Sequence, residues 1–94
     1  VYLAVLARQL GRRGLRVERQ TEVPFGYEGL HFDHGFRVDL LVEGALVVEL
    51  KSVEHLAPVH LKQLLTYLRL LDLRIGLLIN FGAPTFKQGV KRVI

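Results

Sequence analysis

Apolar residues recur at helical spacing from the first positions of the chain. Tyr2, Leu3, Val5, Leu6 and Leu10 are set among Ala4 and Ala7, and the pattern stops at Gly11 and Gly14. The spacing predicts a helix already under way at Val1. From Leu15 the period changes to two: Leu15, Val17, Arg19, Thr21, Val23 and Phe25 alternate with Arg16, Glu18, Gln20 and Glu22, which predicts a strand ending near Pro24. Gly26, Gly29 and Asp33-His34-Gly35 punctuate the next stretch, so residues 27–32 read as a hairpin arm or an irregular loop.

Alternation returns over residues 36–42 and, after a turn at Glu43-Gly44, over residues 45–52. Both runs carry β-branched and apolar residues at odd and even positions, the mark of strands inside a sheet rather than at its edge. Ala57-Pro58 opens a second helix, with proline in the first turn and Leu61, Leu64, Leu65, Leu68 and Leu71 as the expected apolar stripe. Asp72 lies near its end. Ile75, Leu77, Leu78 and Ile79 then form a short buried run closed by Asn80-Phe81-Gly82, which suits a parallel strand reached by a crossover through the helix. The tail, with Pro84, Gly89, Val90 and Val93, predicts a loop and a short edge strand. The element order is that of a single α/β domain: helix, meandering mixed β-sheet, helix, parallel strand.

Composition narrows the chemistry. The chain has 94 residues, half of them hydrophobic and 23% charged, a balance that sustains one core and leaves no room for a second domain. It has no cysteine, which excludes disulfides, thiolate zinc sites and cysteine nucleophiles, and is compatible with a reduced, cytoplasmic setting. No apolar run is long enough to cross a bilayer, so a soluble protein without membrane association is expected. The formal charge of +4 favours an anionic partner such as nucleic acid, although lysines and arginines are spread along the chain. The chain opens directly on a helix, at Val1, and contains no methionine. That leads to the expectation that an N-terminal segment of the domain is missing.

The chemistry concentrates in the central hairpin. Glu49 and Lys51, two apart on one strand, leave the same face about 7 Å apart, while Val48 and Leu50 point the other way. Whether Asp39 joins them depends on register. A two-residue turn at Glu43-Gly44 pairs Asp39 with Val48 and turns its carboxylate to the other face, whereas a three-residue turn or a bulge pairs it with Glu49. If the three converge, Asp39 and Glu49 offer hard oxygen ligands suited to Mg²⁺ or Mn²⁺, with the Leu50 carbonyl as a third ligand, and Lys51 places a positive charge beside the metal. A divalent ion and a lysine together meet the needs of phosphodiester hydrolysis, an activated water and a stabilised transition-state charge. Spacing alone fits a solvent-facing strand salt bridge equally well. On the second helix His60, Gln63 and Tyr67 make a polar stripe that either faces the same cleft or sits at the helix boundary in solvent. Arg69, Arg74, Lys87, Lys91 and Arg92 read either as a phosphate-binding surface or as a solvated basic face.

Taken together, residues 36–42, Val48-Glu49-Leu50-Lys51, Pro58-Val59-His60, residues 63–68 and residues 76–81 resemble the bacterial GxxExxY proteins of the PD-(D/E)XK nuclease superfamily. An aspartate on one strand, E-x-K on the next and Q-x-x-x-Y on the following helix are more specific in combination than any part alone. The resemblance implies a restriction-endonuclease-like core. It implies Asp39 and Glu49 as metal ligands, Lys51 as the catalytic lysine, and Gln63 with Tyr67 as an accessory pair also seen in RecB-like nucleases. It also makes Tyr2 the tyrosine of the signature and places the signature glutamate ahead of Val1. The leading expectation is a Mg²⁺- or Mn²⁺-dependent nuclease acting on DNA. The alternatives are a nuclease-like module that binds nucleic acid or a protein partner without cutting, and a purely structural domain. An exposed edge strand offers a route to a homodimer, which the sequence leaves open.

Overall fold

A computed structural model describes residues 1–23 and 37–94. The reading of residues 27–32 as a hairpin arm or loop lies outside them. The elements are α1 (Tyr2–Arg12), β1 (Val17–Glu22), β2 (Arg37–Val42), β3 (Leu46–Lys51), α2 (Pro58–Leu71), β4 (Ile75–Asn80), α3 (Phe86–Gly89) and β5 (Val90–Val93). The strands form one sheet in the order β1-β2-β3-β4-β5. Among the described residues only the β3–β4 pair is parallel, joined across α2 as the sequence predicts. The tail adds the short helix α3, capped where Thr85 Oγ1 accepts the Gln88 N–H, before the expected edge strand.

The sheet separates two apolar layers, because its strands carry hydrophobic residues on both faces. On one face Leu64, Tyr67 and Leu68 of α2 pack with Leu41, Val47, Leu78 and Val93. On the other, Leu3, Leu6, Ala7 and Leu10 of α1 cover Leu40, Val42, Val48 and Ile79. Gly76 lets α2 sit close over β4, since a methyl group there would come within 2.9 Å of the Leu64 side chain.

Helix α2 buries a different stripe from the leucine series read from the sequence. Leu61 and Leu65 are exposed, whereas Gln63, Leu64, Thr66, Tyr67 and Leu68 are buried. The physical reason is polar: the sheet beneath the helix presents buried Glu49 and Lys51, and covering them requires side chains that can hydrogen-bond. Two leucines therefore yield the inward position to Gln63 and Tyr67. His60 serves the helix start, where its Nδ1 accepts the Ala57 N–H at 2.9 Å. The helix ends on Asp72 in a left-handed conformation (φ 56°), with the Leu73 N–H returning to the Leu68 carbonyl at 2.8 Å.

Candidate active site

The β2–β3 connection decides the site. Val42 pairs with Leu46 and Leu40 with Val48, so the turn spans three residues, 43–45. That odd length continues the register to set Asp39 opposite Glu49. In place of further ladder bonds, the two acids interlock the strands: the Asp39 N–H donates to Glu49 Oε1 at 2.8 Å, and the Leu50 N–H donates to Asp39 Oδ2 at 2.7 Å. Each carboxylate thus satisfies a main-chain donor beside its partner.

A local rotation of β2 accompanies this exchange. Val38 belongs to the apolar layer under α2, but Leu40, two residues on, belongs to the layer under α1, although residues two apart on a regular strand share a face. The break falls at Asp39. On the neighbouring strand, Arg19 pairs with Leu40 and Thr21 with Val38. The intervening Gln20, level with Asp39, has a left-handed backbone (φ 50°) inside the strand. Only glycine adopts that conformation without cost. Gln20→Gly is expected to stabilise the domain by about 0.5–1 kcal/mol and to leave the Asp39 and Leu50 amide resonances in place. Gln20→Val, β-branched at the same φ, is expected to destabilise by about 1–3 kcal/mol and to shift both resonances. Thermal unfolding with amide NMR checks both.

Glu49 is 1% exposed and Lys51 8%, which rules out the solvent-facing salt bridge. Lys51 Nζ donates to Gln63 Oε1 at 3.1 Å, and Gln63 Nε2 donates to Tyr67 Oη at 3.2 Å. The polar stripe of α2 therefore closes over the strand pair, and the alternative that leaves Gln63 and Tyr67 in solvent is excluded. Burial, reinforced by the charge of Asp39, pushes the Glu49 carboxyl up to about 8, against the Asp39 main-chain hydrogen bond and the Lys51 charge. Burial likewise raises the Tyr67 phenol, whose oxygen also interacts with the Arg37 main chain.

Asn80 holds the rim. It is level with Lys51 across the β3–β4 pair, its Oδ1 accepts the N–H groups of Val53 and Gly82 (both 3.0 Å), and its Nδ2 donates to the Val53 carbonyl at 2.9 Å. The chain leaving β3 is thereby tied to the end of β4. Sequence reasoning saw Asn80 only as a strand terminator; a buried amide at the end of an apolar run was the available signal. The basic residues fare differently. Arg69, Arg74, Lys87, Lys91 and Arg92 are all exposed, but Lys91 and Arg92 point to opposite faces of β5, so the five do not share one surface.

The donor set suits a hard divalent cation. Two carboxylates adjoin, and Glu49 Oε2 is a buried oxygen with no hydrogen-bond partner, an acceptor that a cation or a proton would satisfy. No group of three His, Cys, Asp or Glu side chains able to hold a metal occurs among the described residues, so main-chain oxygen or water would complete a coordination shell.

A mixed sheet between helices, with an aspartate on one strand, an E-x-K strand beside it and a glutamine and tyrosine on the covering helix, defines a nuclease-like domain with a restriction-endonuclease-like fold. The chain belongs to the PD-(D/E)XK nuclease superfamily, whose family model matches residues 1–93. The curated proteins and the solved structures contain no significant match. No helix among the described residues is long and apolar enough to cross a membrane.

Proposed function

We propose that this domain hydrolyses phosphodiester bonds in nucleic acid, with DNA as substrate, and that it does so with a divalent metal, Mg²⁺ or Mn²⁺. The observation that carries this reading is the interlock of half-buried Asp39 with buried Glu49, on the strand that also carries the Lys51 ammonium. Asp39, Glu49 and the Leu50 carbonyl would hold the ion, which when bound supplies Lewis acidity and an activated water. Asp39 and Glu49 are pre-positioned by the main-chain hydrogen bonds they accept, so their oxygens need little reorganisation. Lys51 offers an ammonium to the charge that builds on the non-bridging phosphate oxygens. Gln63 orients that ammonium through its Oε1 and is itself held by Tyr67, making both positioning residues.

The test is cleavage of single- and double-stranded DNA with Mg²⁺ or Mn²⁺, set against chelator and against a Glu49→Ala, Lys51→Ala double variant. Metal-dependent cleavage that disappears in the variant supports the reading; cleavage that survives it overturns it. The binding-only reading draws on the lack, among the described residues, of any group of three His, Cys, Asp or Glu side chains that could hold a metal. It predicts no Mn²⁺ uptake in a calorimetric titration and no turnover, while nucleic-acid binding persists.

A further inference from the structure

Beside the acid pair lies a cleft of about 220 Å³, lined by Tyr2, Asp39, Leu50, Lys51, Ser52 and Phe81 among others. Its chemistry is divided. Asp39, Lys51 and Ser52 supply polar groups, and the rings of Tyr2 and Phe81 supply apolar surface. Those rings stack face to face, with centroids 4.1 Å apart and planes 8° apart. Tyr2 remains 52% exposed, and a second small cleft on its far side runs from Tyr2 and Phe81 to Phe86, which is 69% exposed. Tyr2 and Phe81 thus line the cleft that reaches Asp39, and Phe86 lines only the second cleft.

Aromatic surface left open next to a phosphate-handling site has a specific use. A nucleobase offers two π-faces, but in a duplex both are covered by neighbouring base pairs, so only an unpaired base can stack on a protein ring. The +4 charge of the chain supplies the attraction for a phosphate backbone that leads the base in.

We propose that Tyr2 and Phe81 form a stacking platform for an unpaired base, so that the strand engaged at Asp39 and Lys51 is single-stranded. The base flanking the engaged phosphate lies against the exposed ring of Tyr2, with Phe81, in the turn that follows β4, backing that ring. Phe86 extends the apolar wall towards the next base. This rests on the phosphodiester reading for the identity of the site, and it adds the strandedness of the substrate.

The experiment measures binding in chelator, where no cleavage intervenes, by fluorescence anisotropy of a labelled oligodeoxythymidylate and of a blunt, fully paired linear duplex of equal charge. The single strand is expected to bind at least roughly tenfold more tightly than the duplex, and Tyr2→Ala to weaken single-strand binding by roughly 5- to 100-fold, in keeping with the loss of one stacked base. Tyr2→Phe retains the ring and is expected to retain binding, and duplex binding is expected to be the same in all three proteins. Tyr2 is half exposed, so its truncation leaves the core intact, and thermal unfolding of each variant verifies this. Equal affinity for both oligonucleotides, or a Tyr2→Ala variant that binds the single strand as the parent does, overturns the proposal. The two readings fail separately. Tyr2-dependent single-strand binding without metal-dependent cleavage leaves the platform and removes the nuclease, while cleavage with a preference for duplex leaves the nuclease and removes the platform.

Discussion

Lys51→Met is expected to lower the rate of phosphodiester cleavage by roughly 10²–10³-fold, mainly in kcat, with little change in KM. The ammonium is nearly buried and fixed at 3.1 Å from Gln63 Oε1, so its position is set before substrate arrives. A charge held in place in a site of low polarity acts most strongly on the charge that appears in the transition state. Methionine keeps the length and apolar stem of the side chain, which separates loss of charge from loss of packing. Gln63→Leu is expected to give a smaller loss, because the ammonium remains but its orientation relaxes. Single-turnover rates on a labelled oligonucleotide give the chemical step directly. Removing Lys51 also takes away one of the influences that lower the Glu49 carboxyl. In Lys51→Met the alkaline side of any Glu49-dependent transition is therefore expected to move upward.

The second large effect is on stability and reverses sign from ordinary acid denaturation. Glu49 titrates at about 8 in the folded protein against 4.5 for the free side chain, so it favours the folded state at low pH. That contribution is complete below about pH 4.5, declines as the unfolded chain releases its proton, and is lost as the pH rises through about 8. Urea unfolding between pH 5 and pH 9, values chosen to span roughly that window, is expected to show a fall on the order of 3–5 kcal/mol attributable to this group. Glu49→Gln keeps the acceptor for the Asp39 N–H and removes the titratable acid. Its stability is expected to stay flat over the same range and to exceed that of the parent at pH 9. A parent protein with no alkaline loss, or a glutamine variant that shares it, contradicts a buried protonated Glu49. A divalent ion bound at the acid pair requires the ionised carboxylate. Mn²⁺ is therefore expected to restore stability at high pH in the parent alone, and to displace about one proton from the protein near neutral pH.

Both effects arise from buried polar groups, and this explains where the sequence was a sufficient guide. Period-two and helical patterns located the strands and helices because alternation and amphipathicity are local consequences of burial on one face. The common face of Glu49 and Lys51 followed from strand geometry alone. The superfamily motif was also legible, because its aspartate, E-x-K and Q-x-x-x-Y parts keep their order along the chain.

Other features depended on distances that no local pattern encodes. The leucine series on α2 looked like a complete apolar stripe, and only the burial of Glu49 and Lys51 beneath it explains why Gln63 and Tyr67 turn inward while Leu61 and Leu65 face out. Gly44 marks the turn after β2, but neither its length of three residues, 43–45, nor the left-handed Gln20, which together bring Asp39 to Glu49, is announced by a residue type. The wall made by Tyr2 and Phe81 joins the first helix to the end of the fourth strand. By itself the sequence determined the elements other than α3, the superfamily and the acid and base on β3, since each rests on residues close together in the chain or on a motif read in order. The tertiary structure alone decided whether Asp39 reaches Glu49, which face of α2 is buried and what lines the cleft, because register, helix rotation and ring stacking are settled by the combined packing of distant segments.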